Sequence, residues 1–241
     1  MEDSVRIVQE HYDSGVQYEW DRLERHPFEF AITTKIMDRH IKPGDKILDI
    51  GGGPGRYSIY YAQRGCDVTL VDLSAENVKF ALEKAKELNV NIKAVSGDAR
   101  EVSNFITREF DHIFVMGPMY HLLEENDRIK SLNEAISLLK SKGLLYVSFI
   151  LMFSGMIFGM KNSPEMLLFE SEQVFIDAVL KGKSYAGDAF TKAFFIDQKD
   201  IIPFMNRFNL EKKHLFGQES ILAPCELNFI GQTQTVTDKW I

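Results

Sequence analysis

Apolar residues along this chain follow two alternating rhythms. Short apolar runs occur at residues 46 to 50, 68 to 72, 92 to 96, 111 to 116 and 144 to 150, carried by residues such as Ile47, Val71, Ile113 and Leu145. Runs of this length, bounded by turn residues, predict strands buried on both faces. Between them, residues 56 to 64, 75 to 88 and 124 to 140 space their apolar positions at helical intervals. The clearest case is Ile129, Leu132, Ala135, Ile136 and Leu139, with charges between. Strands alternating with helices predict an α/β fold, a mostly parallel sheet flanked by helices.

Local punctuation sharpens these boundaries. The turn residues Lys42-Pro43-Gly44-Asp45 deliver the chain into the first strand, Gly65 stops the helix before it, and Ser74 suits the cap of the helix beginning near Ala75. Lys140-Ser141-Lys142-Gly143 reads as the turn that closes the helix over 124 to 140. Residues 1 to 42 carry Val5, Val8, Tyr12, Ile32, Ile36 and Met37 at near-helical spacing, and Pro27 divides them into two helices.

From 151 to 196 the alternation stops, while Met152, Phe153, Met156, Phe158, Met160 and Phe169 accumulate. Such a stretch suits a helical cap over an apolar pocket, its flexible thioethers adapting to irregular shapes, or else hydrophobic core between cap helices. A strand or turn at 194 to 197, a helix over 198 to 208 and a sixth strand near 210 to 216 complete the pattern.

Composition narrows the class. At 241 residues, with 45% hydrophobic and 26% charged residues, the chain suits one large globular domain. Its 28 basic against 35 acidic residues leave a net charge of −7, so attraction to a nucleic-acid backbone is not expected. The two cysteines, Cys66 and Cys225, lack metal or redox spacing, and the acidic N-terminus lacks an apolar export core, which together predict a cytoplasmic protein. The run from 144 to 160 is broken by Ser148, Ser154, Gly155 and Gly159 and falls short of the roughly 20 residues a spanning helix needs. None of the six histidines falls into a metal-binding motif, so no metal is expected.

The candidate chemistry lies at the ends of the predicted strands. After the first strand, Asp49-Ile50-Gly51-Gly52-Gly53-Pro54-Gly55-Arg56-Tyr57 reads as a strand, a glycine loop and a helix start, where glycine lets backbone N–H groups approach a ligand. A dinucleotide fingerprint needs a third glycine where Arg56 stands. The second strand ends in Asp72, 21 positions after Gly51, where a carboxylate can accept both hydroxyls of a ribose; the alternative is a capping or loop acid. Gly97-Asp98-Ala99 follows the third strand and Gly117-Pro118-Met119-Tyr120-His121 the fourth.

Taken in this order, the Gly51-x-Gly53-x-Gly55 loop, Asp72, Asp98-Ala99 and the Gly-Pro-x-Tyr-His-Leu loop resemble the class I S-adenosylmethionine (SAM) dependent methyltransferases, over residues 40 to 150. The resemblance implies a Rossmann-like sandwich and SAM as cofactor, leaving as S-adenosylhomocysteine (SAH). It places the cofactor against Asp49, Gly51, Gly52, Gly53, Gly55 and Tyr57, then Asp72 and Leu73, Asp98 and Ala99, and Met116 and Gly117. In it Asp98 contacts the adenine amine, the alternative being a cap for a short helix near Val102. The implied layout is a single domain: a helical lid over 1 to 42, a SAM-binding core over 43 to 150, a cap over 151 to 196 and a last part of the sheet over 197 to 241. Tyr12, Tyr18, Trp20 and Arg22 are the lid candidates, each equally suited to packing a helix on the sheet. Tyr120 and His121 are the candidates for acting on a small-molecule acceptor, by orienting it or, for His121, by taking a proton, or else they pack against cofactor and helix. The family ends its sheet with an antiparallel strand, for which the stretch after Pro224 offers only Leu227 to Ile230. A non-catalytic SAM-binding module and an NAD-binding oxidoreductase are the competing readings.

Overall fold

The computed structural model describes residues 2–229 and 231–240. Its contacts divide the chain into two compact units, Met1–Asp21 with Ile41–Ile150 and Ala186–Phe195, and Arg22–His40 with Leu151–Tyr185 and Ile196–Ile241.

The first unit is built on five parallel strands: β1 (Lys46–Ile50), β2 (Asp67–Asp72), β3 (Lys93–Ser96), β4 (Phe110–Val115) and β5 (Leu139–Val147), in the order β3-β2-β1-β4-β5. Ile47, Leu48, Ile50, Leu70, Val71, Ile113 and Phe114 are buried, as expected of strands covered on both faces. Register decides where the loops emerge. Ile50 lies level with Val71 on one side and Val115 on the other, and Asp72 with Ser96, so the loops after β1, β2, β3 and β4 leave the sheet along one edge. The strand order reverses at β1, with β2 to one side and β4 to the other, which is where an open α/β sheet forms its ligand crevice.

Helices α1 (Glu2–Ser14), α4 (Arg56–Gln63), α5 (Ala75–Glu87) and α6 (Glu125–Ser137) belong to this unit. Ser74 caps α5 as its position predicts, its hydroxyl accepting from Asn77 N at 3.1 Å. The N-terminal region holds three helices rather than two. α2 (Val16–Arg25) is separated from α1 by Gly15, and Pro27 opens α3 (Pro27–Met37).

Two sequence expectations fail for a physical reason. Lys140 to Gly143 does turn, with Lys142 at φ 74°, but inside β5 rather than before it. Phe110 pairs with Leu139 and His112 with Leu144, so the four residues bulge opposite Asp111, whose carboxylate binds Lys140 Nζ at 2.8 Å. The strand expected near 210 to 216 is also missing. That stretch is irregular, and its Glu211-Lys212-Lys213-His214 core is exposed, with no apolar face to bury. Among the described residues no strand follows β8 (Lys192–Ile196), so 197–229 and 231–240 add helices and turns rather than sheet; Ile230 lies outside the described residues.

The second unit contains α3, α7 (Met152–Asn162), α8 (Gln173–Leu180), α9 (Gln198–Met205) and α10 (Gln234–Trp240). Glu226 ties it together. One of its carboxylate oxygens accepts from Phe28 N at the start of α3 and the other meets His26 Nδ1 at 2.8 Å. Asp197 caps α9 through Lys199 N. Several of the apolar residues expected to line a pocket or core, among them Phe153, Phe158 and Met160, are exposed.

Candidate functional site

The glycine loop takes its shape from three left-handed residues. Gly51, Gly53 and Gly55 have φ of 70°, 55° and 87°, a region that L side chains enter at a cost of about 1–2 kcal/mol. The reasons differ at each position. A Cβ on Gly51 would stand 2.5 Å from Pro118 Cδ, and one on Gly117 2.7 Å from Gly51 O, so the loops after β1 and β4 touch through these glycines. A Cβ on Gly52 would meet Asp49 Oδ2 at 2.7 Å, and one on Gly55 would meet Ala81 of α5 at 3.0 Å. At Gly53 a Cβ would meet nothing within 4 Å. Gly53 is the position where the loop needs the conformation and leaves open space in front of it.

The close approach of Gly117 to Gly51 predicts a stability effect. Gly117→Ala should cost about 1–3 kcal/mol, because a backbone carbonyl has to move. Urea denaturation would register it as a lower midpoint with unchanged slope.

Two buried acids lie at this edge. Asp49 is 2% exposed and accepts from Ser58 Oγ at 2.8 Å. Burial pushes its pKa up to about 7, against the pull of the Ser58 bond and with a further push from Asp72. Asp72 accepts from Gly53 N at 2.8 Å with one oxygen, and from Ser74 N at 2.9 Å and Asn77 Nδ2 at 3.1 Å with the other. Burial raises its pKa too, and Asp13 adds to the rise. Asp72 thus ties the glycine loop to the start of α5. Leu73 follows it, half-buried, with its carbonyl accepting from Ser96 Oγ.

Asp98 does not cap the short 3-10 turn Val102–Asn104; it accepts from Arg100 N at 2.8 Å and from the Arg100 guanidinium. Burial works to raise its pKa, but these bonds hold it below the usual carboxylate range. Arg100 also reaches Asp127 of α6 at 3.0 Å. Ala99, Met116, Gly117 and Tyr57 are half-buried around the same edge.

The loop after β4 forms a 3-10 turn, Pro118–Tyr120, followed by His121. Arg128, on the buried face of α6, holds it by donating to the carbonyls of Leu122 and Leu123, while its guanidinium lies 3.6 Å from the centre of the Phe194 ring. Tyr12 Oη lies 2.7 Å from His121 Nε2, and Tyr120 and His121 stack edge to face with centroids 4.7 Å apart. Burial pushes the His121 pKa down to about 4.

The other lid candidates go elsewhere. Trp20 packs with Ile59 and Ala85 under the guanidinium of Arg56, a core position. Tyr18 is 66% exposed, and Arg22 belongs to the second unit, where it pairs with Glu29. Sequence reasoning passed over Arg100, Arg128 and Asp13, whose carboxylate accepts from Ser74 Oγ. Arg128 was traceable: it stands four and seven positions before Leu132 and Ala135, a charge on an apolar face.

Residues 47–143 match the family model of a methyltransferase domain. Over that stretch, β1 to the bulge of β5, the chain is similar to methyltransferase domains. Over 142 residues, 57% of the chain and 53% of the relative, it is 33% identical to a glycine/sarcosine N-methyltransferase from Aphanothece halophytica. Over 117 residues, 47% of the chain and 46% of the relative, it is 32% identical to a ubiquinone biosynthesis O-methyltransferase from Xanthomonas campestris. The chain therefore spans about half the length of the curated relatives it matches. In structure it resembles magnesium protoporphyrin IX methyltransferase from Synechocystis, which was solved with bound SAH, at a TM-score of 0.57 and 17% identity, covering 85% of this chain and 88% of that one. At that identity the likeness speaks for the fold alone. Among the described residues no helix is long and apolar enough to cross a membrane, and no group of three or more His, Cys, Asp or Glu is placed to hold a metal ion.

Proposed function

We propose that the chain is a SAM-dependent methyltransferase acting on a small-molecule acceptor in the cytoplasm. The observation that carries this is the open cradle at Gly53, whose left-handed backbone leaves nothing within 4 Å of a would-be Cβ between two buried acids at the strand-order reversal. Asp49 and Gly51 to Gly55 would hold the methionine part of the cofactor, Asp72 and Leu73 the ribose, and Asp98 with Ala99 the adenine, with Met116 and Gly117 along the remaining side. Bound there, SAM supplies a methyl group on a sulfonium that already carries its leaving group. The chain's own part is alignment and exclusion of water. Gly53 N and Ser74 N fix the Asp72 carboxylate, and Arg100 fixes that of Asp98, so both acids are oriented before a ligand arrives.

Two assays separate this reading from its rivals. SAH should raise the melting temperature and NAD should not, since only a ligand of the native state stabilises it. Radiolabelled methyl transfer from SAM to small amines, with glycine and sarcosine as first acceptors, then distinguishes an enzyme from a silent binding module. A melting temperature raised by NAD and indifferent to SAH would overturn the proposal.

A further inference from the structure

His121, in the loop after β4, has the chemistry of a general base, yet both its nitrogens are engaged. Nδ1 lies 3.2 Å from the carbonyl of Lys192 in the hairpin formed by β7 (Tyr185–Asp188) and β8. A carbonyl only accepts, so Nδ1 carries the proton and Nε2 is left as the acceptor. The Tyr12 hydroxyl, arriving from α1 across 109 positions of sequence, donates to that Nε2. Phe190 of the hairpin and Tyr12 both set their rings edge-on to the imidazole, with centroids 5.8 and 5.2 Å away.

We infer that Tyr12 is a positioning residue, which with the Lys192 carbonyl locks His121 as a neutral Nδ1–H imidazole whose remaining lone pair is spent on the tyrosine. His121 then serves as an oriented wall of the acceptor site and not as its base. This rests on the methyltransferase reading and narrows its acceptor: the nucleophile brings a free lone pair, as an unprotonated amine does, and any proton it sheds goes to water. Titratable groups packed about the ring agree with a neutral imidazole. They are Tyr12 from α1, with His11 set edge-on against Tyr12 and disfavouring a charged ring, Tyr120 from its own turn and Lys192 from the hairpin, with Lys192 Nζ itself paired to Asp188. Among the described residues no carboxylate is bonded to either ring nitrogen to favour an imidazolium. Tyr12 is not all that fastens α1, because the next residue, Asp13, accepts from Ser74 Oγ. Loss of one hydroxyl should leave the helix in place.

The test is nitrogen-15 NMR of the histidine side chains in the whole protein, with H121Q used to identify the His121 signals. The expected result is a protonated Nδ1 and a hydrogen-bonded, unprotonated Nε2, unchanged from pH 8 down to about pH 5.5. In Tyr12→Phe the Nε2 resonance should shift to that of an unbonded lone pair while Nδ1 keeps its proton. A protonated Nε2 in the wild type, titration near pH 6.5, or a spectrum indifferent to Tyr12→Phe would overturn the inference. Adding SAH to the same sample separates the two claims: no SAH binding defeats the methyltransferase reading, whereas a wrong tautomer in an SAH-binding protein defeats only this one.

Discussion

Gly53→Val is expected to lower SAH affinity by about 100-fold or more, roughly 2.7 kcal/mol, while the protein stays folded. The two halves of that result have separate causes. A Cβ at this position meets no protein atom within 4 Å, so the added side chain fills only the space in front of the loop, which is where the cofactor is proposed to lie. The folded state bears only the strain of a branched residue at φ 55°, about 1–2 kcal/mol. For a chain of this size that lowers the melting temperature by about 2–8 °C. Calorimetry with SAH, beside a thermal melt, checks both halves; a variant that melts lower and binds SAH normally would reduce the loop to a turn. Asp72→Ala is a poorer probe than the sequence suggests. It would leave Gly53 N, Ser74 N and Asn77 Nδ2 without their acceptor, mixing lost stability with lost binding.

Asp49→Asn is expected to change the shape of the stability curve with pH. The folded-state pKa of Asp49 stands near 7, above its unfolded value, so the folded protein binds the extra proton between about pH 4 and 7. Its contribution is therefore fully present below about pH 4 and is lost as pH rises through 7. His121 runs the other way: with its folded pKa depressed to about 4, its contribution is present above about pH 6.5 and lost as pH falls through 4. In the wild type the two slopes oppose each other over much of this window. Asparagine keeps an acceptor for Ser58 Oγ and removes the buried charge, so the stability of Asp49→Asn minus that of wild type should climb with pH by up to about 4 kcal/mol between pH 4 and 7. Urea titrations of both proteins at pH 4, 5.5 and 7 supply the difference directly. A flat difference would mean that Asp49 ionises in the fold as easily as in water.

The parts of this protein that the sequence made legible are those with local causes. A buried apolar run followed by an acid and glycines marks a strand end in either representation. Ser74 and Gly65 punctuate their helices by geometry that spans a few residues. Errors arose where a local rule had two outcomes. Turn chemistry at Lys140 to Gly143 produced a bulge within a strand because Asp111 was there to bind Lys140, which nothing nearby in sequence announces. The apolar residues at 210 to 216, Leu210, Leu215 and Phe216, suggested a strand, but the charges between them leave it no face. Side-chain alliances across the fold were out of reach. Tyr12 with His121 and Asp13 with Ser74 join segments 109 and 61 positions apart, and only the folded sheet brings them to one edge.

The central claim is that the edge where the loops after β1 to β4 emerge is a SAM site, and isothermal titration of SAH into the wild-type protein tests it most directly. Saturable binding near one SAH per chain, weakened about 100-fold by Gly53→Val and unaffected by excess NAD, is the predicted result. No measurable heat with SAH under conditions where the protein is folded, or displacement of SAH by NAD, would contradict it.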